Sequence, residues 1–307
     1  MKISMVGSGR VGSTTLFNLL LDGAAQELVV VDILKDRAEG EALDLLHGTA
    51  LSHRCRIYSG DYDATAGSDM AIITAGIPRQ PGETRLDLLK KNIGLMEGVL
   101  DELMKYNGQD LFIIMVANPV DVLTYQAHKR TGLPKNKIIG TGTLLDTTRF
   151  RSLLGDRLVV SPDQVQVYML GEHGDSMAAV YSGGSIAGVP LESFPGYSQQ
   201  LMDEVVEATR FGGAEVIKKK GGTFYSVAPM ITELVRAIRL DEKRVIPVST
   251  LMDGSHLGMI NVTLSLPTVI GKDGPEQVLL PRMSESEQEA LLNSYRVLRG
   301  AIEEVGL

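Results

Sequence analysis

Apolar and polar positions along the first half of the chain alternate in blocks with two different periods. Short runs rich in Val, Ile and Met occupy 2–6, 28–32, 70–74 and 111–116, and amphipathic stretches such as 11–21 and 86–106 lie between them. Runs too short for helices, set between stretches with a helical repeat, predict a parallel sheet covered on both faces. That is the pattern of a doubly wound α/β domain, and the reading ends it at residue 143.

The second half has another rhythm. Strand-like runs at 164–170, 177–186, 244–251 and 259–270 are joined by turn signals, AGVP at 187–190 and KDGP at 272–275. Helical patterns cover 198–219, 223–240 and 284–305, the last opened by a capping box of Ser284 and Glu287. The expectation is an α+β domain over 144–307 that follows a doubly wound domain over 1–143, with no repeat and no flexible linker between them.

Composition narrows the class. At 307 residues the chain is long enough for roughly two domains at ~150 residues each. A hydrophobic share of 44% excludes a disordered chain. A single cysteine, Cys55, cannot form an internal disulfide, which points to the cytoplasm. No apolar run approaches the ~20 residues of a membrane span, and the first strand starts too early to leave room for a signal peptide. The 30 basic and 38 acidic side chains leave a net charge of −8, which disfavours nucleic acid. No cluster of His, Cys and carboxylates has metal-ligand spacing, so no metal is expected.

Candidate chemistry begins at Gly7-Ser8-Gly9-Arg10-Val11-Gly12, which fits G-x-G-x-x-G between the first strand and a helix. Gly7 allows the tight turn, Gly9 lets the backbone approach a pyrophosphate, and Gly12 lets helix and strand pack closely. A helix N-terminus at that point supplies N–H donors to phosphate. Asp32 ends the second strand, 32 − 12 = 20 residues after the last glycine. A carboxylate there accepts hydrogen bonds from a ribose and repels a 2′-phosphate, so the reading is a Rossmann domain that binds NAD. Lys35 and Arg37 stand close enough to leave NADP open.

Four further motifs stand in order along the chain: PGETRLD at 81–87, NPVD at 118–121, LDTTRF at 145–150 and GEHGD at 171–175. With the glycine loop, they make the chain resemble the L-lactate/malate dehydrogenase family from about residue 2 to residue 305. The resemblance implies reversible hydride transfer between NAD and a 2-hydroxy acid. It makes His173 the acid/base, Asp146 its orienting partner, and Arg85 the cation that polarises the carbonyl as a loop closes. Arg149 would take the substrate carboxylate, with Asn118 and Thr223 lining the pocket. Beyond the glycines and Asp32, nucleotide contacts are implied at Arg10, Val11, Thr74, Ala75, Gly76, Asn92, Val116 and Asn118. The residue types suit these tasks. His titrates near neutral pH, an ionised Asp fixes its tautomer, and Arg offers a planar fork that Lys lacks. Among five histidines, only His173 sits between glycines at a strand end.

Arg79 is the residue expected to choose the substrate. The resemblance places it at the substrate's variable end, where Arg goes with malate and Gln with lactate. A second carboxylate would pair with Arg, whereas a methyl group would leave a desolvated Arg alone. The sequence reading is therefore NAD-dependent malate dehydrogenase acting on a small dicarboxylate. The alternative is L-lactate dehydrogenase, favoured by Glu83, Thr223 and GTGTLLDTTRF. A non-catalytic NAD-binding module is a third reading, but it gives His173, Asp146, Arg149 and Arg85 no reason to occur together. The family's fructose 1,6-bisphosphate site uses an Arg and a His. Arg151 matches the first, but Gln166 stands in place of the second, so no activation by that ligand is expected. A homotetramer is the expected assembly.

Overall fold

The computed structural model describes every residue except Arg79, Gln80, Pro81 and Glu83, together with the side chain of Arg85. The first half runs β1 (Lys2–Val6), α1 (Arg10–Asp22), β2 (Glu27–Val31), α2 (Lys35–Gly48), β3 (Arg56–Ser59), β4 (Met70–Ile73), α3 (Arg85–Tyr106), β5 (Phe112–Met115), α4 (Val120–Thr131) and β6 (Ile138–Gly140). The second half runs α5 (Leu144–Leu158), β7 (Val165–Leu170), β8 (Ala178–Ile186), β9 (Val189–Pro190), α6 (Gln199–Lys220), α7 (Val227–Arg239), β10 (Arg244–Asp253), β11 (Ile260–Gly271), β12 (Gly274–Val278) and α8 (Glu285–Glu304).

Strands β1 to β6 pair in parallel in the order β3-β2-β1-β4-β5-β6. The strand order reverses between β1 and β4, the switch point at whose carboxyl ends an open parallel sheet of this kind offers a ligand crevice. Leu28, Ile72, Ile113 and their neighbours are wholly buried, as expected of a sheet covered on both faces. Two of its strands fall outside the four predicted runs. β3 is an edge strand with the mixed sequence RIYS, and β6 has only three residues.

The second half does not keep all its strands apart. β10 pairs antiparallel with β6 at Ser249 and Gly140, so β10, β11 and β12 extend the parallel sheet to nine strands. Gly140 permits this approach, because a Cβ there would lie 3.0 Å from the Ser249 Cβ and 2.3 Å from Thr124 Oγ1. β7, β8 and β9 form a separate three-stranded sheet. Helix α8 begins with the expected capping box, in which Ser284 and Glu287 satisfy each other's backbone N–H. No described helix is long and apolar enough to cross a membrane.

Candidate active site

The glycine loop connects β1 to α1 at the crevice. Gly7 has φ +100°, and a Cβ on it would sit 2.6 Å from the Ala75 nitrogen. At Gly12 a Cβ would sit 2.0 Å from the Gly7 carbonyl oxygen, so close helix–strand contact excludes any side chain. Thr74 closes the turn by donating from Oγ1 to Gly7 O at 2.8 Å. Gly9 is different, since a Cβ there would meet nothing within 4 Å. Gly9 is also the N-cap of α1, and among the described residues no side chain caps the N–H groups of Arg10 and Val11. Open space above bare N–H donors fits a pyrophosphate.

Asp32 lies at the end of β2. Its Oδ2 accepts from Ser8 N at 2.6 Å and Ser8 Oγ at 2.9 Å, and its Oδ1 accepts from Leu34 N at 2.9 Å. Burial disfavours its charge, but these three bonds outweigh burial and hold the carboxyl below its ordinary value. A carboxylate offers about four acceptor positions, so capacity remains for a ribose hydroxyl. Lys35 pairs with Asp61 at 2.8 Å and Arg37 with Glu41 at 3.9 Å, which leaves neither cation committed to a 2′-phosphate.

Most of the other expected nucleotide residues stand just beyond the carboxyl ends of the central strands. Thr74 and Ala75 both donate their N–H to Val6 O, and Val116 donates to Ile73 O. Asn92, fully buried on α3, accepts from Ile77 N at 2.8 Å and donates to Ile77 O at 3.2 Å. Its amide therefore holds the backbone just beyond Gly76. Asn118 is exposed at the end of β5 and accepts from Val120 N at 3.3 Å.

The chemical residues meet through α5 and the segment after β7. Thr143 and Thr147 bring these together: both donate to Met169 O, at 2.6 and 3.1 Å, and Met169 N donates back to Thr147 Oγ1 at 3.0 Å. Asp146 is thereby set against His173, with 2.6 Å between Oδ2 and Nδ1. Its other oxygen accepts from Arg149 Nη1 at 3.0 Å. A carboxylate only accepts, so His173 Nδ1 carries a hydrogen and Nε2 is left for chemistry. Burial favours the neutral imidazole, but Asp146, with a smaller contribution from Asp121, overcomes this and raises His173 to about 9. Asp146 is itself buried, yet His173 and Arg149 keep it below its ordinary value.

Several supporting residues escaped the sequence reading. Asp121, the last residue of NPVD, is buried and accepts from His173 N at 2.7 Å. Thr209 O on α6 accepts from Arg149 Nη1 at 3.3 Å. Gly212 gives Arg149 its seat, because a Cβ there would lie 2.5 Å from Arg149 Cδ. The one available signal was NPVD, in which Asp121 stands two residues after the turn former Pro119. Thr209 and Gly212 sit in an ordinary amphipathic helix and carry none. Thr223 follows α6, and its Oγ1 is buried with no hydrogen bond among the described residues. Arg79 and the side chain of Arg85 lie outside the described residues. No group of three metal-ligating side chains occurs among the described residues.

The chain is similar to known proteins along its whole length. Residues 1–140 match the NAD-binding domain of the lactate/malate dehydrogenases, and residues 143–306 match their alpha/beta C-terminal domain. An L-lactate dehydrogenase of Clostridium botulinum (strain Langeland) is 40% identical over 98% of this chain and 96% of its own. A probable L-lactate dehydrogenase of Schizosaccharomyces pombe is 42% identical over 100% of this chain and 93% of its own. The minor L-lactate dehydrogenase of Enterococcus mundtii superposes with a TM-score of 0.96 at 33% identity, covering 100% of this chain and 98% of its own. NAD is thus the cofactor of the first half.

These relatives correct the substrate expectation. The expectation of a malate dehydrogenase acting on a dicarboxylate rests on Arg79 alone, through the cost of leaving its charge unpaired. Full-length relatives at 40–42% identity are lactate dehydrogenases instead. The charge argument needed the Arg79 guanidinium to face the substrate, and that residue is not among those described. A loop Arg that stays in water pays no such cost, so its identity alone cannot select a dicarboxylate.

Proposed function

The chain belongs to the lactate/malate dehydrogenase family, and from that premise we propose that it is an L-lactate dehydrogenase, interconverting pyruvate and L-lactate. The observation that carries the proposal is Asp146, which holds His173 with one oxygen and Arg149 with the other. A proton donor and a carboxylate anchor are thereby set at fixed separation, which suits a small 2-oxo acid. The relatives' names supply the choice of lactate within the family.

The nicotinamide cofactor, when bound, would supply the hydride as NADH in reduction and accept it as NAD+ in oxidation. Gly7, Gly9, Gly12 and the N–H groups of Arg10 and Val11 would hold its pyrophosphate, and Asp32 its adenosine ribose. His173 enters reduction protonated. Its Nε2 gives a proton to the substrate's C2 oxygen as that oxygen gains charge, and takes a proton back in oxidation. Asp146 keeps Nδ1 protonated throughout and stabilises the imidazolium. Arg149 pairs the C1 carboxylate; its Nη2 and Nε make no hydrogen bond among the described residues. Thr223 contributes an unpartnered hydroxyl to the pocket wall. We assign Arg85 the role of polarising the C2 carbonyl.

A cytoplasmic homotetramer completes the proposal. Phe17 and Leu21 on α1, Leu43 and Leu46 on α2, and Phe211 and Ile217 on α6 are large exposed apolar residues that a subunit contact would cover. The test is NADH oxidation, followed by absorbance, with pyruvate and a series of other 2-oxo acids. Pyruvate is expected to give the highest kcat/KM. Preference for a 2-oxo acid with a second carboxylate, or no turnover, would overturn the proposal.

A further inference from the structure

Arg10 is the first residue of α1, so its backbone lies at the nucleotide loop. Its side chain goes elsewhere. Nη1 donates to Lys220 O, the last residue of α6 and 210 residues away, at 3.4 Å. The guanidinium also lies 5.9 Å from the centre of the Phe224 ring. A helix leaves its last carbonyls unpaired and its C-terminus partly negative, so a cation there is doubly favoured. Gly221 makes the approach possible. It caps α6 in the left-handed region at φ +79°, and a Cβ on it would lie only 3.0 Å from Arg10 Nη1.

The turn beyond Gly221 is clamped by aromatic contacts. Lys220 Nζ lies 3.7 Å from the centres of both the Phe224 and Tyr225 rings, which meet edge-on at 4.6 Å. Thr223, whose buried hydroxyl has no hydrogen bond among the described residues, is inside this turn. The turn leads directly into α7, which begins at Val227 and packs against both α1 and α5. α5 carries Asp146 and Arg149.

We propose that Arg10 is a positioning residue that couples the two halves of the site, its guanidinium tying the first turn of α1 to the end of α6 and so setting the turn that carries Thr223. The inference rests on the function proposed above for the choice of acid, but the coupling itself does not. Ordering of the nucleotide loop by NADH holds Arg10 still. A still Arg10 holds the 221–225 turn, and the acid then binds to a wall already in place. By reciprocity the acid tightens NADH by the same factor.

The test compares wild type with Arg10→Ala and Arg10→Lys. NADH affinity is measured by its fluorescence, alone and with oxamate, the amide isostere of pyruvate. Amide hydrogen exchange over 221–226 is measured on the ligand-free proteins. Arg10→Ala removes only the side chain and keeps the backbone N–H offered to the pyrophosphate, so NADH affinity measured alone should change far less, about 2-fold, than its tightening by oxamate, which should fall about 10-fold. KM for pyruvate should rise by a similar factor with kcat little changed, and exchange over 221–226 should quicken. Arg10→Lys, which keeps the cation, should recover part of each effect. Equal loss of NADH affinity with and without oxamate would overturn the proposal, because Arg10 would then serve the cofactor's phosphates directly. Unchanged coupling and exchange would overturn it as well. If pyruvate is not the substrate, the exchange result still decides the coupling, because no ligand is present.

Discussion

Asp121 holds His173 by the main chain: Asp121 Oδ2 accepts from His173 N at 2.7 Å, across 52 residues of sequence. The side chain of His173 is held separately by Asp146 at 2.6 Å, so two carboxylates fix one residue, one at its backbone and one at its ring. Asp121 is buried, and burial pushes it up to about 6 even though the His173 N–H bond works the other way. Asp121→Ala leaves that buried N–H without a partner, a loss of about 1–3 kcal/mol. Denaturant unfolding should show it. Asp121→Asn keeps an acceptor of the same shape and removes the ionisation. Because the native carboxyl lies above its unfolded value of 3.8, its contribution to stability is full below about pH 4 and is lost as pH rises toward 6. The stability of Asp121→Asn relative to wild type should therefore improve across that window. A pH-independent difference would contradict this account.

Asp146 sets the working pH of His173. Loss of its charge in Asp146→Asn removes what raises the imidazole, so His173 should titrate at lower pH. In pyruvate reduction the protonated form is required, so kcat/KM falls as pH rises through the His173 value. The variant's profile should shift to lower pH, with about 10²-fold less activity at neutral pH. A pH–rate profile for both enzymes measures it, and an unmoved midpoint would count against the assignment.

Arg149 and Gly212 should fail in the same way. Arg149→Lys loses the planar fork, and KM for pyruvate should rise about 10- to 100-fold, in line with ~1.5–3 kcal/mol for a charge-assisted bond. Gly212→Ala puts a methyl group 2.5 Å from Arg149 Cδ and should raise KM in the same direction by a smaller factor. NADH affinity, read by fluorescence, should stay constant in both variants.

Asp32 should govern the choice between NAD and NADP. Asp32→Ala removes the ribose acceptor and the repulsion of a 2′-phosphate, so KM for NADH should rise and KM for NADPH should fall. Lys35 and Arg37 then become available to the phosphate. Steady-state kinetics with each cofactor gives the ratio, and a parallel loss with both would mean that Asp32 serves only the Ser8 turn.

Fructose 1,6-bisphosphate should not activate the enzyme. Arg151 donates from Nε to Val167 O at 3.1 Å and lies 5.1 Å from the Tyr168 ring centre, while Gln166 offers only an amide. Initial rates at low pyruvate should be unchanged by millimolar additions, and a clear rise would refute this.

The pattern of apolar runs by itself determined the doubly wound sheet, and the glycine spacing determined the nucleotide turn. Both constraints are local. Gly7 must be glycine because its own φ is +100°, and the run at 70–74 is legible because Met70, Ala71, Ile72 and Ile73 are all buried. The motifs around His173 and Asp146 were legible in the same way, each carried by a few adjacent residues. Tertiary structure decided the rest. β6 is three residues long, and it became a strand because β5 and β10 pair on either side of it. Asp121, Thr143, Thr147, Thr209 and Gly212 acquired their tasks only when folding brought distant donors, acceptors and side chains against them. The resemblance implies a nucleotide contact at Arg10, which its backbone N–H can make, but only the fold shows its side chain on the end of α6. A buried polar group must find a partner, and which partner it finds depends on what the fold places beside it, whatever stands next to it in sequence. The same reason explains the error over Arg79: the charge of a side chain is written in the sequence, but whether it meets water or a ligand is not.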